Sequence, residues 1–334
     1  MPAHPYPIRG RERDDWILSR RPERNQLDPR RPHAFFLEEE RAESGEIAEV
    51  VTVFLTNREC PWRCLMCDLW KSTLTESVPS GAIPEQIEFA LEETRKARRG
   101  AHPALRQVKL YNSGSFFDPR AIPPGDHAAI ADLLRPFKRV IVECHPALVG
   151  EPAPGFRDLL AGQLEVAMGL ETVHPGALEK LNKRMTLEQF SLAAGFLRRH
   201  DIALRVFILV KPPFLDEAEA LFWAKCSLDF AFERGASVWS LLPTRSGNGA
   251  LEALARQGEF SPPRLATLEA AAAYGIGLQR GRVFADLWNL EQFSACGACF
   301  PARALRLREM NSRQVPLLPV ACPACGEGHG GGST

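Results

Sequence analysis

The segment Val50-Val51-Thr52-Val53-Phe54-Leu55-Thr56-Asn57-Arg58-Glu59-Cys60-Pro61-Trp62-Arg63-Cys64-Leu65-Met66-Cys67 runs an apolar, β-branched stretch directly into a turn and three closely spaced cysteines. Residues 50–56 have the composition of a strand buried on both faces. Cys60, Cys64 and Cys67 follow at C-x3-C-x2-C spacing. Thiolates are the ordinary ligands of iron–sulfur clusters, and three of them hold three irons of a 4Fe–4S cube while the fourth stays open. An open iron binds a small molecule, whereas a cluster held by four cysteines mainly carries electrons. The competing readings are a zinc site or three unrelated buried thiols. Zinc prefers a closed set of four ligands, and no fourth lies close by, so the spacing favours the cluster.

Working outward, five more short apolar runs resemble the first: residues 107–112, 139–144, 164–169, 204–210 and 238–242. Helical patterns lie between them. Residues 84–99 start with Pro84 and Glu85, end in basic residues and stop at Gly100. Thr186 with Gln189, and Asp216 with Glu219, have capping-box spacing or its acidic analogue. Strands alternating with helices predict parallel βαβ units. Six such units fit an open (β/α)6 partial barrel better than a closed eight-stranded one, and a further strand is expected near 282–287. The cluster loop directly follows the first strand, and parallel α/β folds bind ligands at the carboxyl ends of their strands.

Composition bounds the remaining choices. The 41 basic and 41 acidic residues balance, so no global field draws the chain to nucleic acid or anionic membrane. No apolar run approaches the ~20 residues that span a bilayer. The Arg- and Pro-rich N-terminus has no apolar core, so a signal peptide is not expected. Of nine cysteines, only Cys144 and Cys226 stand outside two tight clusters, a usage that points to metal rather than disulfides. A soluble, cytoplasmic protein is expected. Its divisions read as an N-terminal arm over 1–45, anchored by Trp16, Phe35 and Phe36, and a barrel over 46–290. A C-terminal four-cysteine metal-binding module covers 291–327, and a Gly-rich disordered tail covers 328–334.

The triad's spacing resembles that of the radical SAM enzymes. That resemblance implies an α/β partial (β/α)6 TIM-like barrel, a 4Fe–4S cluster, and S-adenosyl-L-methionine chelated by the open iron. It also implies reductive cleavage of that cofactor to a 5′-deoxyadenosyl radical, fed by an electron donor such as flavodoxin or ferredoxin. Other strand ends must then hold the rest of the cofactor. Asn112, Ser113 and Gly114 end the second strand, in a segment resembling the family's glycine-containing motif; an ordinary turn is the plainer alternative. Glu143 ends the third strand beside His145, which reads as structural. Glu171 ends the fourth, where a carboxylate meets ribose hydroxyls or a substrate amine, and Lys211 ends the fifth before a Pro-Pro turn. Glu171 and Lys211 are the catalytic candidates. Met66 and Trp70 flank the cluster, where the family sets apolar groups against adenine; core packing explains them as well.

Cys296-Gly297-Ala298-Cys299 and Cys322-Pro323-Ala324-Cys325 form two C-x2-C knuckles close to the zinc-ribbon pattern. Structural zinc is favoured because the set of four is complete; an auxiliary 4Fe–4S cluster is the alternative. Between the knuckles, Arg303, Arg306, Arg308 and Arg313 suit either phosphate contacts or a solvated helix face.

Gly169-Leu170-Glu171-Thr172, Asn182-Lys183, Thr186-Leu187-Glu188-Gln189-Phe190, Lys211-Pro212-Pro213-Phe214 and the 240–248 stretch resemble the archaeosine-biosynthesis radical SAM proteins. These are relatives of the elongator-type and methylthiotransferase-type tRNA enzymes. This implies a tRNA substrate, a 7-deazaguanine adduct as the target, and a partner enzyme in the same modification pathway. The alternatives are radical chemistry on a small molecule or peptide, or a non-catalytic iron–sulfur or zinc scaffold.

Overall fold

The computed structural model describes residues 5–98 and 105–326. Eight strands form one curled sheet in chain order: β1 (Ala34–Arg41), β2 (Ile47–Leu55), β3 (Gln107–Asn112), β4 (Arg139–Glu143), β5 (Gln163–Glu171), β6 (Ala203–Val210), β7 (Val238–Pro243) and β8 (Arg282–Ala285). β1 is antiparallel to β2, and every later neighbour pair is parallel. The six expected strands are β2 to β7, and the expected extension is β8.

The helices are α1 (Gly10–Leu18), α2 (Ala82–Ala97), α3 (His127–Leu133), α4 (Pro152–Leu159), α5 (Pro175–Lys180), α6 (Leu187–Arg199), α7 (Glu217–Glu233), α8 (Ala250–Arg256), α9 (Leu265–Gly277) and α10 (Phe300–Arg313). Both anticipated capping boxes form, at the starts of α6 and α7. The expected stop of α2 at Gly100, and the expected tail, lie outside the described residues. No helix among the described residues is long and apolar enough to cross a membrane.

Strand alternation divides the sheet into two faces. Val51, Val53 and Leu55 of β2, Val108 and Leu110 of β3, Val206 and Ile208 of β6 join the helices in one core. Each such buried side chain stabilises the fold by roughly 1.5–3 kcal/mol. The other face is not the apolar surface that the runs implied. Thr52, Lys109, Glu143, Arg205 and Ser240 stand on it and line a cavity of about 1300 Å³.

The floor of this barrel is a buried ion network. Arg205 donates to Glu40 (2.5 and 3.0 Å) and to Glu165 (2.6 Å). Lys109 meets Glu40 and Glu38, each at 2.7 Å. Burial pushes the Glu40 carboxyl up, but Arg205 and Lys109 outweigh it and hold the group well below the usual range. Two of these carboxylates come from β1, within the segment expected to be an arm. Its run Glu38-Glu39-Glu40 hides the alternation, because Phe36, Glu38 and Glu40 all face inward while charge masks the apolar period. Earlier in that segment, Trp16 of α1 packs with Leu65, Leu251 and Leu254 against the cysteine loop.

The far edge is closed by side chains rather than by another strand. Gln314 accepts from the Val283 N–H (2.8 Å) and donates to its carbonyl (2.9 Å). Asn311 does the same for Ala285, at 2.9 and 2.8 Å. α10 also reaches β1, where Arg41 donates to the Ser312 carbonyl (3.0 Å).

Candidate active site

The loop carrying Cys60, Cys64 and Cys67 leaves β2 at the carboxyl end of the sheet and is tied down at several points. Glu59 accepts from Arg21 (2.8 Å) and Arg24, with Arg63 at 3.2 Å. Burial pushes the Glu59 carboxyl up, but the arginines win and lower it. The Leu65 N–H donates to the Leu181 carbonyl at 2.9 Å. Asn248 donates to the Leu65 carbonyl (2.7 Å), and Asn182 to that of Arg63 (2.8 Å). Trp62 stacks on His145. Segments that follow α1, β4, α5 and β7 thus converge on one short loop.

The three cysteines share the cavity with Met66, Ser113, Gly114, Glu143, His145, Gly169, Glu171 and Lys183. A Cβ on Gly114 would meet the Cys60 Cβ at 3.0 Å, so the bare backbone of the β3 turn lets the cysteine loop close over it. Glu143 accepts the Asn112 N–H at 3.0 Å, and burial pushes its carboxyl up to about 8. Glu171 follows a register shift in β5 and has a left-handed backbone, φ 66°. A non-glycine residue held there is strained, and such strain persists where the surroundings over-determine it. Here the restraint is Lys183, whose Nζ lies 2.5 Å from Glu171. A Cβ at Gly169 would overlap both side chains, so this glycine makes room for the pair.

Three expected residues are not brought to this cavity. Lys211 ends β6 as anticipated, but its ammonium turns away to the Ser261 hydroxyl (2.6 Å) and to Glu217 (3.1 Å). Asn112 is buried outside the cavity lining, its amide oxygen and nitrogen without partners among the described residues. Trp70 is buried, with the Arg21 guanidinium 4.5 Å over its ring. Sequence reasoning named Lys183, in the loop after α5, only as part of a resemblance and gave it no role in the site. It also passed over an aromatic band of Phe36, Phe54, Tyr111, Phe207, Phe284 and Trp288 lining the same cavity. Alternation was the available signal, since Phe54, Tyr111, Phe207 and Phe284 hold inward positions on their strands.

The residues fit a cluster held by the triad. All three thiols are free, and burial raises each one, Cys67 to about 12. A buried thiolate needs a strong positive partner, which bound iron supplies.

At the other end of the chain, Cys296, Cys299, Cys322 and Cys325 gather their sulfurs within 4.8 Å of one another, an arrangement able to hold a metal ion. Cys296 and Cys322 sulfurs lie 4.0 Å apart, and those of Cys299 and Cys325 3.9 Å. Arg303 and Arg306, on α10 between the pairs, are buried against Glu269 at 2.6 and 3.1 Å. They are therefore structural rather than phosphate ligands.

Methylornithine synthase superposes with a TM-score of 0.50 over 81% of this chain and 71% of its own, at 14% identity. The chain has the fold of the radical SAM enzymes. No family model matches the sequence. An uncharacterised protein of Methanocaldococcus jannaschii is 26% identical over 248 residues, 71% of this chain and 67% of that protein. The archaeosine synthase subunit beta of Methanosarcina acetivorans is 28% identical over 233 residues, 66% of this chain and 65% of that subunit. The chain therefore spans about two thirds of the length of these curated relatives. The expected resemblance to the archaeosine-biosynthesis proteins is borne out by this kinship.

Proposed function

We propose that this chain is a radical SAM enzyme that modifies a base in tRNA, with a 7-deazaguanine adduct of the archaeosine type as its target. The observation that carries the reading is a shared cavity: the triad after β2 opens onto Gly114, Glu143 and Glu171 at the ends of β3, β4 and β5. When bound, a reduced 4Fe–4S cluster supplies the electron that splits S-adenosyl-L-methionine into methionine and a 5′-deoxyadenosyl radical. The protein's part is orientation and exclusion of water. Cys60, Cys64 and Cys67 hold the cluster. Gly114 offers its backbone to the methionine end of the cofactor, with Ser113 beside it, and Met66 packs on the adenine. Glu143, its carboxyl pushed up by burial, accepts from the Asn112 N–H through one oxygen and offers the other to the cofactor. Glu171, fixed by Lys183, accepts from ribose hydroxyls. The ion-paired floor seals the base of the cavity against solvent.

In the same reading the C-terminal cysteines hold zinc. Tetrahedral Zn–S bonds of about 2.3 Å set the sulfurs roughly 3.8 Å apart. The observed separations of 4.0 and 3.9 Å fit that edge, whereas a four-iron cube spreads its ligands further. An electron donor such as flavodoxin or ferredoxin, a partner subunit in the modification pathway and a cytoplasmic location complete the proposal.

The test is anaerobic reconstitution of the full chain, followed by 5′-deoxyadenosine release and mass analysis of nucleosides from total tRNA. Cofactor cleavage that Cys64→Ala abolishes, together with a changed nucleoside, is expected. Full cleavage by that variant would sink the cluster assignment. Cleavage with every nucleoside unchanged would move the substrate to a small molecule or peptide.

A further inference from the structure

The mouth of the cavity carries an aromatic ring and a cation that the cofactor site does not use. Trp288, in the turn after β8, is 56% exposed, yet its ring is backed by Phe36 at 5.1 Å and Phe54 at 6.5 Å. Arg245 donates to the Trp288 carbonyl at 2.6 Å, so the turn beneath the ring is held. A large ring kept in place but left uncovered is a platform, because burial would otherwise be the favourable course for so much apolar surface.

The cation is Arg308. Of the four arginines between the C-terminal cysteine pairs, Arg303 and Arg306 are buried against Glu269, and Arg313 lies 3.8 Å from Glu309. Arg308 is exposed, lines the same cavity as Trp288, and its guanidinium has no partner among the described residues. Two further groups lie on the inner face of the sheet. The hydroxyls of Tyr111 and Ser240 line the cavity, and neither has a hydrogen-bond partner among the described residues. A flat ring, a free guanidinium and two unpaired hydroxyls ask for a ligand with a π face, an anion and a hydrogen-bonding edge. A nucleotide has all three.

We propose that Trp288 and Arg308 clamp one extruded nucleotide of single-stranded RNA, the base stacked on Trp288 and a flanking phosphate on Arg308. The base edge then points inward to Tyr111 and Ser240. This assignment rests on the nucleic-acid reading above and names the residues that deliver the base to the cavity. It also accounts for the balanced net charge. Enzymes acting on a base take it out of the stack and hold it between aromatic groups, and stacking on an aromatic side chain supplies affinity without a broad basic face.

The experiment uses the full chain with its cluster reconstituted, a short labelled single-stranded RNA oligomer, and the same oligomer with an abasic site at its centre. Binding is followed by fluorescence anisotropy across a salt series. Trp288→Ala is expected to weaken binding of the intact oligomer roughly ten-fold, with Trp288→Phe retaining most of the affinity. Against the abasic oligomer the two proteins should bind alike, since ring and base form one interaction. Arg308→Ala should weaken binding and lower the salt slope by about 0.7, the single-strand value for one phosphate contact. Iron content and melting temperature verify that each variant folds. Equal binding of intact and abasic oligomers by the parent chain would overturn the clamp, as would wild-type affinity in both variants. So would Trp288-dependent binding of a short peptide with none of RNA. If the clamp passes but tRNA nucleosides stay unchanged, the substrate assignment fails alone; if tRNA is modified and Trp288→Ala binds normally, the clamp fails alone.

Discussion

Trp62 lies flat against His145, with ring centroids 3.7 Å apart and planes 13° from parallel. Trp62 belongs to the cysteine loop and His145 to the turn after β4. The histidine accepts the Ala147 N–H at Nδ1 (3.1 Å), which leaves the proton on Nε2 to donate to the Lys183 carbonyl (3.1 Å). One neutral ring therefore joins the cysteine loop, the end of β4 and the segment bearing the Glu171 partner. Burial, reinforced by Lys183, pushes its pKa down to about 3.

A pH dependence follows from that ring. The unfolded chain takes up a proton at His145 below its ordinary value of 6.5, whereas the folded chain does so only near 3. Stability is therefore full above that ordinary value and is lost as pH falls through the window between the two. His145→Phe keeps a ring against Trp62 but removes the titration. In urea unfolding of the metal-free protein, this variant should flatten the acid-side slope by up to one proton, about 1.4 kcal/mol per pH unit. Superimposable slopes for the two proteins would exclude a buried neutral His145.

Gly114→Ala tests the contact with Cys60. The new methyl group lies 3.0 Å from the Cys60 Cβ, so the cysteine loop must shift. Close-packed interiors pass such a shift on to their neighbours. Iron and sulfide per chain after reconstitution should fall to about half or less, with circular dichroism unchanged. Normal iron loading would mean that the loop yields at no cost.

The Lys183–Glu171 pair is almost fully buried, so removing one partner leaves an uncompensated charge. Lys183→Met should cost about 3–5 kcal/mol in urea unfolding, and the double variant Lys183→Met with Glu171→Gln should recover most of it. Both should bind S-adenosyl-L-methionine more weakly in equilibrium dialysis if Glu171 meets the cofactor. A double variant no more stable than the single one would show the two side chains to be uncoupled.

Cys322→Ser should abolish metal at the C-terminal site while sparing the iron of the triad, read as separate zinc and iron contents by mass spectrometry. Zinc at about a hundredfold above its dissociation constant stabilises by about 2.7 kcal/mol, so a chelator should lower the melting temperature of the parent and not of the variant. Loss of visible iron–sulfur absorbance from that site would instead reveal a second cluster.

The strands from β2 onward were legible because each is a short β-branched run between turns, and the triad because thiolate spacing is a local property. Both capping boxes were legible for the same reason. The inner face of the barrel was not. Lys109, Glu165 and Arg205 break the apolar runs in sequence, yet they neutralise one another in space, and no local pattern announces a partner tens of residues away. β1 was hidden by the same effect, since Glu38 and Glu40 read as solvated until Lys109 and Arg205 are seen opposite them. Lys211 misled for a related reason. Strand order gave its level in the barrel, but its side chain was claimed by Ser261 and Glu217 from a later loop.

The amides of Asn311 and Gln314 occupy the backbone groups that β8 would otherwise offer to another chain. A strand edge left with free N–H and C=O groups is a template for self-association. A version of the protein that ends before α10 would thus lose more than its second metal site: it would present a sticky border, and it should form oligomers through β8. With α10 in place, the backbone groups of Val283 and Ala285 are already taken.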